Sequence, residues 1–597
     1  MTDTRNGACA LAEAHALVCA GAFAEAAVRL AVIDSEDPAF PHGVHLLGLI
    51  DAMQGRVAQA IALFETACTH LPGDHELQAN LARAYASVDR HADALVLLQK
   101  IIRAGAATAA THADCAAMLE RLDQDAAALA SYEAALALDH DACAAWSGKG
   151  NLLHKQQRYE EALACHNKAV AIGPVAAQAW SNRASTLDKL GRMAEGLVDH
   201  DRALALSPRS AAAWSGRGVS LVMLDRMDEA LHCFDQALEI EPGHFQARIN
   251  RAAAMAETGR HLESLSEFDL ALQSGRGTAV ETARTHAFKA MVQLALGDPS
   301  GWAGYEYRLH ADAECARHDA QAKRWTGVEP LQAKRLLLWS EQGYGDAIQF
   351  CRYATTLAER GAVVLLEVPP ALTSLCTQLP AFSVHATGTP LPAHDFHIPM
   401  MSVPLALQRQ SAAAMPPRPT GYFHAPLTLA DKWRRQLPPR VHAQRIGIVC
   451  SGSVNHPRNT RRSVPLALLL ALGSMADLVL LQPELTAEDK ISLAASPDTF
   501  WPVLNKNDFA DVAGLIENVD LVVSVDTSIA HLAGALSKPT WLLLPQHAEW
   551  RWMTIRTNTP WYESVRLFRQ TSRNDWQSVL NSVTEALCFQ HCHAKAT

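Results

Sequence analysis

At 597 residues the chain has room for several domains, and 49% apolar with 19% charged residues suits a folded globular protein, excluding a disordered polyelectrolyte. No apolar run approaches the ~18 residues of a membrane span, the start lacks the basic segment of a secretory leader, and thirteen unpatterned cysteines point to a reducing cytoplasm without disulfides. Residues 1–278 carry 23 Lys and Arg against 35 Asp and Glu, the remainder 29 against 27, so nucleic acid is excluded as a partner of the acidic front half.

The front half repeats. Trp146, Trp180 and Trp214 recur every 34 residues, as do Pro174, Pro208 and Pro242, and the frame set by the tryptophans starts near 7, 41, 75, 109, 143, 177, 211 and 245 without insertions. Small residues hold the eighth position (Gly48, Ala82, Ala116, Gly150, Ala184, Gly218, Ala252), and alanines recur at the twentieth and twenty-seventh, where two antiparallel helices must approach closely. The pattern resembles the tetratricopeptide repeat, whose stacked helix pairs form a superhelix that receives an extended peptide. The three tryptophans read as packing residues. Polar positions of the first helices (Asn151, Asn182, Arg183, Arg217, Asn250 and Arg251) are candidates for facing the groove, with a solvated face as the alternative. About eight repeats over 1–278 are followed by connecting helices over 279–330, which include the aromatic cluster "LGDPSGWAGYEYRL".

The period then changes. "RLLLWS" (335–340), ending in Gly-rich "EQGYGDAIQF", and "AVVLLEV" (362–368) are apolar runs separated by a helical stretch, the unit of a parallel sheet. "AHDFHIPMMSVPLAL" adds a strand, and Pro-rich "AAAMPPRPTGYFHAP" reads as a linker. "RIGIVCSGS" (445–453), "DLVLLQ" (477–482), "VDLVVSVDTS" (519–528) and "PTWLLLP" (539–545) repeat the theme, and a final helix packs back. Two Rossmann-like lobes, over 331–425 and 426–597, would place a ligand in the crevice at the carboxyl ends of both sheets.

Candidate chemistry gathers at these strand ends. Asp526, Thr527 and Ser528 start a helix where unpaired N–H groups and the macrodipole attract phosphate, with His531 one turn in; a plain N-cap is the rival reading. "CSGSVNHPRNTRRS" brings Ser451, Gly452 and three arginines; Arg461 and Arg462 have forks suited to phosphate oxygens, whereas a solvated loop is the reading for Arg458 and a rival one for Arg461. Gln482 ends the next strand and could read a sugar hydroxyl or base edge. In the first lobe Gly343 and Gly345 allow a tight turn, and Asp346 is placed either to take a proton from an attacking hydroxyl or to cap its helix.

"WSEQGYGDAIQFCRY", "RIGIVCSGS", "RRSVPL" and "VDTSIAHLAGALSKPTWLLLP" resemble the GT-B glycosyltransferases related to lipopolysaccharide heptosyltransferases, and more closely the bacterial proteins that fuse such a domain to tetratricopeptide repeats. The fold class implied is an N-terminal all-α superhelix followed by an α/β GT-B domain. The resemblance implies an acceptor lobe over 331–425 and a nucleotide-sugar lobe over 426–597, with Asp346 as base, Asp526, Thr527, Ser528 and His531 around the donor diphosphate, and Arg462 as the basic residue of the second lobe. It implies inverting transfer from a nucleotide-sugar with no metal or other cofactor. The arginine, and Ser528 where those enzymes usually carry glycine, leave the donor open. "HADAECARHDA" reads as helical and off the cleft, and Cys588, His591, Cys592 and His593 as an unsuitable zinc set at a chain end. The acceptor implied is a protein such as flagellin or another surface protein held by the repeats. The alternatives are a lipopolysaccharide or glycan acceptor, and a binding scaffold whose rear domain is not catalytic. Outer helices of such stacks also allow a homo-oligomer.

Overall fold

The computed structural model describes residues 4–311, 317–318, 322–377, 383–408, 421–452, 459–505 and 507–594. Most of "HADAECARHDA", most of the Pro-rich linker, Arg458, and the side chains of His591, Cys592 and His593 lie outside this description. The chain forms two compact units, Met1–Asn250 and Arg251–Thr597.

Eight antiparallel helix pairs run along the chain among the described residues, with first helices beginning at Thr4, Phe40, His75, Ala109, Cys143, Ala177, Ala211 and Phe245. From the third pair onward the starts coincide with the repeat frame. The small eighth position follows from contact within each pair. A Cβ on Gly48, Gly150 or Gly218 would come within 2.5 Å of the ring of Phe64, His166 or Phe234 on the second helix, closer than any packed core tolerates.

The tryptophans do more than pack. The Trp146, Trp180 and Trp214 indole N–H groups donate to the carbonyls of His140, Pro174 and Pro208, six residues earlier, at 2.8, 2.9 and 3.0 Å. Gln78 Nε2 donates to Pro72 O at 2.6 Å and Arg248 Nη2 to Pro242 O at 2.8 Å from the same frame position. At these five repeats the fourth position therefore supplies a donor that pins the inter-repeat turn. A longer helix, Ala279–Ala295, follows the eighth pair and begins in a capping box of Thr278 and Glu281.

The second unit holds two five-stranded parallel sheets. In chain order the strands of the first are β1 (Lys323–Arg324), β2 (Arg335–Trp339), β3 (Val363–Val368), β4 (Ser383–Ala386) and β5 (Phe396–Pro399), arranged β1-β5-β2-β3-β4. Those of the second are β6 (Arg445–Val449), β7 (Asp477–Leu480), β8 (Leu521–Val525), β9 (Thr540–Leu544) and β10 (Val565–Arg569), arranged β10-β9-β8-β6-β7. β1 lies inside the stretch expected to be connecting helices. β6, β8 and β9 are buried throughout, as expected for parallel strands covered on both faces. The terminal helix Trp576–Ala594 packs Trp576, Val579, Leu580, Val583 and Leu587 against the second sheet.

Strand order reverses between β2 and β5 in one sheet and between β6 and β8 in the other, so each lobe has a topological switch point with the crevice at its carboxyl ends. The lobes are in contact. The Tyr422 and Phe423 amides donate to Ala535 O at 3.0 and 3.2 Å, and Arg352 of the first lobe donates to Trp561 O at 2.6 Å.

Candidate functional site

The donor side is built at the ends of β6 and β8. β8 delivers Asp526 and Thr527 to the start of the helix Ser528–Ala535. Thr527 occupies the N-cap but forms no side-chain capping bond, and Asp526 precedes it. The capping reading therefore fails, and no side-chain cap occupies the first-turn amides, which lack intrahelical partners. His531 is buried, its Nδ1 2.9 Å from the Tyr562 hydroxyl and its ring stacked on Trp552 at 5.1 Å. Burial, followed by the charges of Arg551, Arg352 and Arg462, pushes its pKa well below that of free histidine, so it is neutral at physiological pH.

From the β6 exit, Arg462 lies against Gly452, where a Cβ would come within 2.4 Å of Nη2; its Nε is buried without a hydrogen-bond partner. Gln482 turns inward. Its Oε1 accepts from the Cys450 and Ser451 amides, both at 3.1 Å, and its Nε2 donates to Ser451 Oγ at 2.6 Å and Glu484 O at 2.8 Å. Gln482 and Ser451 thus shape the turn, with the glutamine amide engaged inside the fold. Arg461 pairs with Glu257, at the end of the helix Phe245–Glu257.

On the acceptor side, the helix Tyr344–Phe350 carries Asp346 in its first turn. Gly343 is the N-cap, without a side-chain cap bond, and Asp346 pairs with Arg551. Neither glycine has a positive φ. The space around Gly343 is open, whereas a Cβ on Gly345 would lie 2.9 Å from His531 Cδ2 and 3.7 Å from Ser528 Cα. Close approach of the two lobes explains Gly345, in place of the tight turn expected from sequence. Burial pushes the Asp346 carboxyl up; Arg551 opposes the shift, and Glu549 and Glu341 add to it.

Sequence reasoning missed Arg551. It follows β9 in the turn Trp550–Trp552, is 6% exposed, and bridges Glu549 to Asp346. Arg308 and Glu341 were missed as well. Arg308 donates to the Glu341 carboxylate at 2.8 and 2.9 Å and to Ser402 Oγ at 2.9 Å. The runs "AEWRW" and "YEYRL" place charges beside aromatics, the signal that these arginines are buried.

In the repeats Asn151 is exposed. Asn182 accepts from Gln178 at 2.7 Å and Asn250 from Gln246 at 3.1 Å. Arg183 forms a two-pronged pair with Asp199, Arg217 pairs with Asp201, and Arg251 pairs with Glu267, each at 2.7 Å. These arginines are held by carboxylates of the solenoid itself.

Asp526 carries a measurable signature. Burial, reinforced by Glu549 and opposed by Arg462, pushes its carboxyl up to about 6. The stability it contributes is therefore fully present below about pH 4, where unfolded aspartate titrates, and is lost as pH rises through about 6; the ceiling is ~3 kcal/mol. Asp526→Asn is expected to raise the unfolding midpoint at pH 8 and to leave it unchanged near pH 4. A difference between the two proteins that does not vary with pH would refute this environment.

Residues 480–580 match the profile of glycosyltransferase family 9 (heptosyltransferase), and residues 52–119, 119–177 and 211–244 match tetratricopeptide-repeat profiles. Protein FlbA of Caulobacter vibrioides is 26% identical over 341 residues, covering 52% of this chain; the match spans 56%, about half, of FlbA's own length. A tetratricopeptide repeat protein from Parabacteroides merdae is similar over 42% of this chain and 99% of its own, with 16% identity and a TM-score of 0.37. YrrB, described as a tetratricopeptide protein with an unusual peptide-binding site, is similar over 30% of this chain and 91% of its own, with 28% identity and a TM-score of 0.25. No helix among the described residues is long and apolar enough to cross a membrane.

Proposed function

We propose that this chain, in which tetratricopeptide repeats precede a family 9 (heptosyltransferase) glycosyltransferase domain, moves a sugar from a nucleoside-diphosphate donor to a hydroxyl of a protein segment held by the repeats. The observation that carries the reading is the meeting of the two switch points. Asp346 of one lobe lies one residue from Gly345, whose backbone abuts Ser528 at the uncapped helix start of the other. Asp346 takes the proton of the acceptor hydroxyl as its oxygen attacks the anomeric carbon, and the bond from that carbon to the phosphate oxygen breaks on the opposite side, inverting the centre. The departing diphosphate gains charge, which the first-turn amides of Ser528–Ala535 and Arg462, whose Nε has no hydrogen-bond partner, would neutralise without a metal. Neutral His531 offers a hydrogen bond beside them.

The repeats favour a polypeptide acceptor, because stacked helix pairs present a surface suited to extended chain. A flagellin or another surface protein is the acceptor we favour. The donor reading is tested by thermal shift of the full chain with a panel of nucleoside diphosphates and monophosphates. One diphosphate is expected to stabilise the wild type, and Arg462→Ala or Thr527→Ala to abolish most of that shift. Stabilisation that survives both substitutions would refute the site. Tight binding without sugar consumption across donors and acceptors would favour a scaffold.

A further inference from the structure

Arg551 is shared between carboxylates. Its Nη1 meets Glu549, its Nη2 meets Asp346 and lies 3.6 Å from Met401 Sδ, and its Nε is buried without a partner. Asp526 lies in the same field: the charges of Glu549 and Arg551 act on both Asp346 and Asp526. Two carboxylates thus pair with one guanidinium, whose charge also acts on Asp526 and on His531, inside the helix start where the diphosphate would settle. The backbone that carries it is fixed. Trp561 Nε1 donates to Arg551 O at 3.0 Å, and Arg569 Nη2 holds Met553 O at 2.6 Å, where Met553 sits at a φ of +54°. A change of partner therefore falls to the side chain.

A carboxylate paired with arginine is a poor proton acceptor, because the cation stabilises its ionised form. We propose that Arg551 changes partner during the reaction: it holds Asp346 until a diphosphate reaches the first turn of Ser528–Ala535, then pairs with the diphosphate and leaves Asp346 free to take the acceptor proton. This rests on the reading of Asp346 as base and adds to it an order, donor before proton transfer. A phosphate at that turn would lie beside Gly345, one residue from the Asp346–Arg551 pair. Arginine binds phosphate in the same forked geometry that it uses for carboxylate. The chemical consequence is that water or a stray hydroxyl meets no free base while the donor is absent.

The experiment is calorimetric titration of the full chain with inorganic pyrophosphate and with the diphosphate found by thermal shift. Asp346→Asn releases Arg551 and is expected to tighten binding about threefold to tenfold; Arg551→Gln is expected to weaken it about tenfold or more, with Arg551→Lys between. Asp346→Asn added to Arg551→Gln should change nothing further, because the contest it relieves no longer exists. An Asp346→Asn chain that binds as wild type does, or more weakly, overturns the exchange while leaving the donor site intact. A wild-type chain that binds neither pyrophosphate nor any nucleoside diphosphate overturns the donor site itself, and the exchange with it.

Discussion

Asp346→Asn is expected to lower the turnover of sugar transfer by about 10²- to 10⁴-fold, the range for losing a positioned general base, without weakening nucleoside diphosphate binding. The amide matches the carboxylate in shape, so the contact of Gly345 with Ser528 and His531 is retained, and what disappears is the capacity to take a proton. The pH profile separates this from a structural effect. Burial raises the Asp346 carboxyl above its usual range, so wild-type turnover should climb as pH passes an apparent value above that of free aspartate, and the residual activity of Asp346→Asn should lack that limb. Single-turnover measurement with saturating donor reads both. Transfer by Asp346→Asn at the wild-type rate would assign the base to another group.

Arg308→Met is expected to destabilise the first lobe by about 3–5 kcal/mol, the cost of stranding a buried charge. The Glu341 side chain is fully buried, and besides two Arg308 bonds it accepts the Met401 amide at 3.1 Å. Without the guanidinium a buried carboxylate remains with one backbone donor. The double variant Arg308→Met, Glu341→Leu should recover most of the loss, since replacing both partners removes the unpaired charge. Urea unfolding followed by tryptophan fluorescence provides the measurement, Trp302 being buried near this site. A loss below ~1 kcal/mol for Arg308→Met would show that the pair is dispensable.

Periodicity carries information only about contacts that repeat along the chain. The 34-residue frame placed helix starts from residue 75 onward, because the small eighth position answers a steric demand that recurs along the chain, as where Gly48, Gly150 and Gly218 lie against the rings of Phe64, His166 and Phe234. It showed where Trp146, Trp180 and Trp214 sit but not that they donate to carbonyls six residues back, since a hydrogen bond leaves no mark on spacing. The apolar runs of β2, β3, β6, β8 and β9 were equally legible, burial on both faces requiring unbroken hydrophobic sequence.

The site is different, because its geometry depends on residues distant in sequence. Asp346 and Arg551 are 205 positions apart, as are, nearly, Arg461 and Glu257 at 204. Local pattern could nominate Asp346 at a helix start; only the docking of one lobe on the other shows that its carboxylate is held by Arg551 rather than spent as a cap. Gln482 and Arg461 are exposed-looking polar residues by sequence, yet the fold turns one into the β6 exit and pairs the other with Glu257. Repeat architecture and strand placement were thus settled by local hydrophobic and steric rules written into neighbouring residues. The partners of each charge were decided by tertiary structure, because burial makes every charge seek a counter-charge wherever the folded chain brings one within reach.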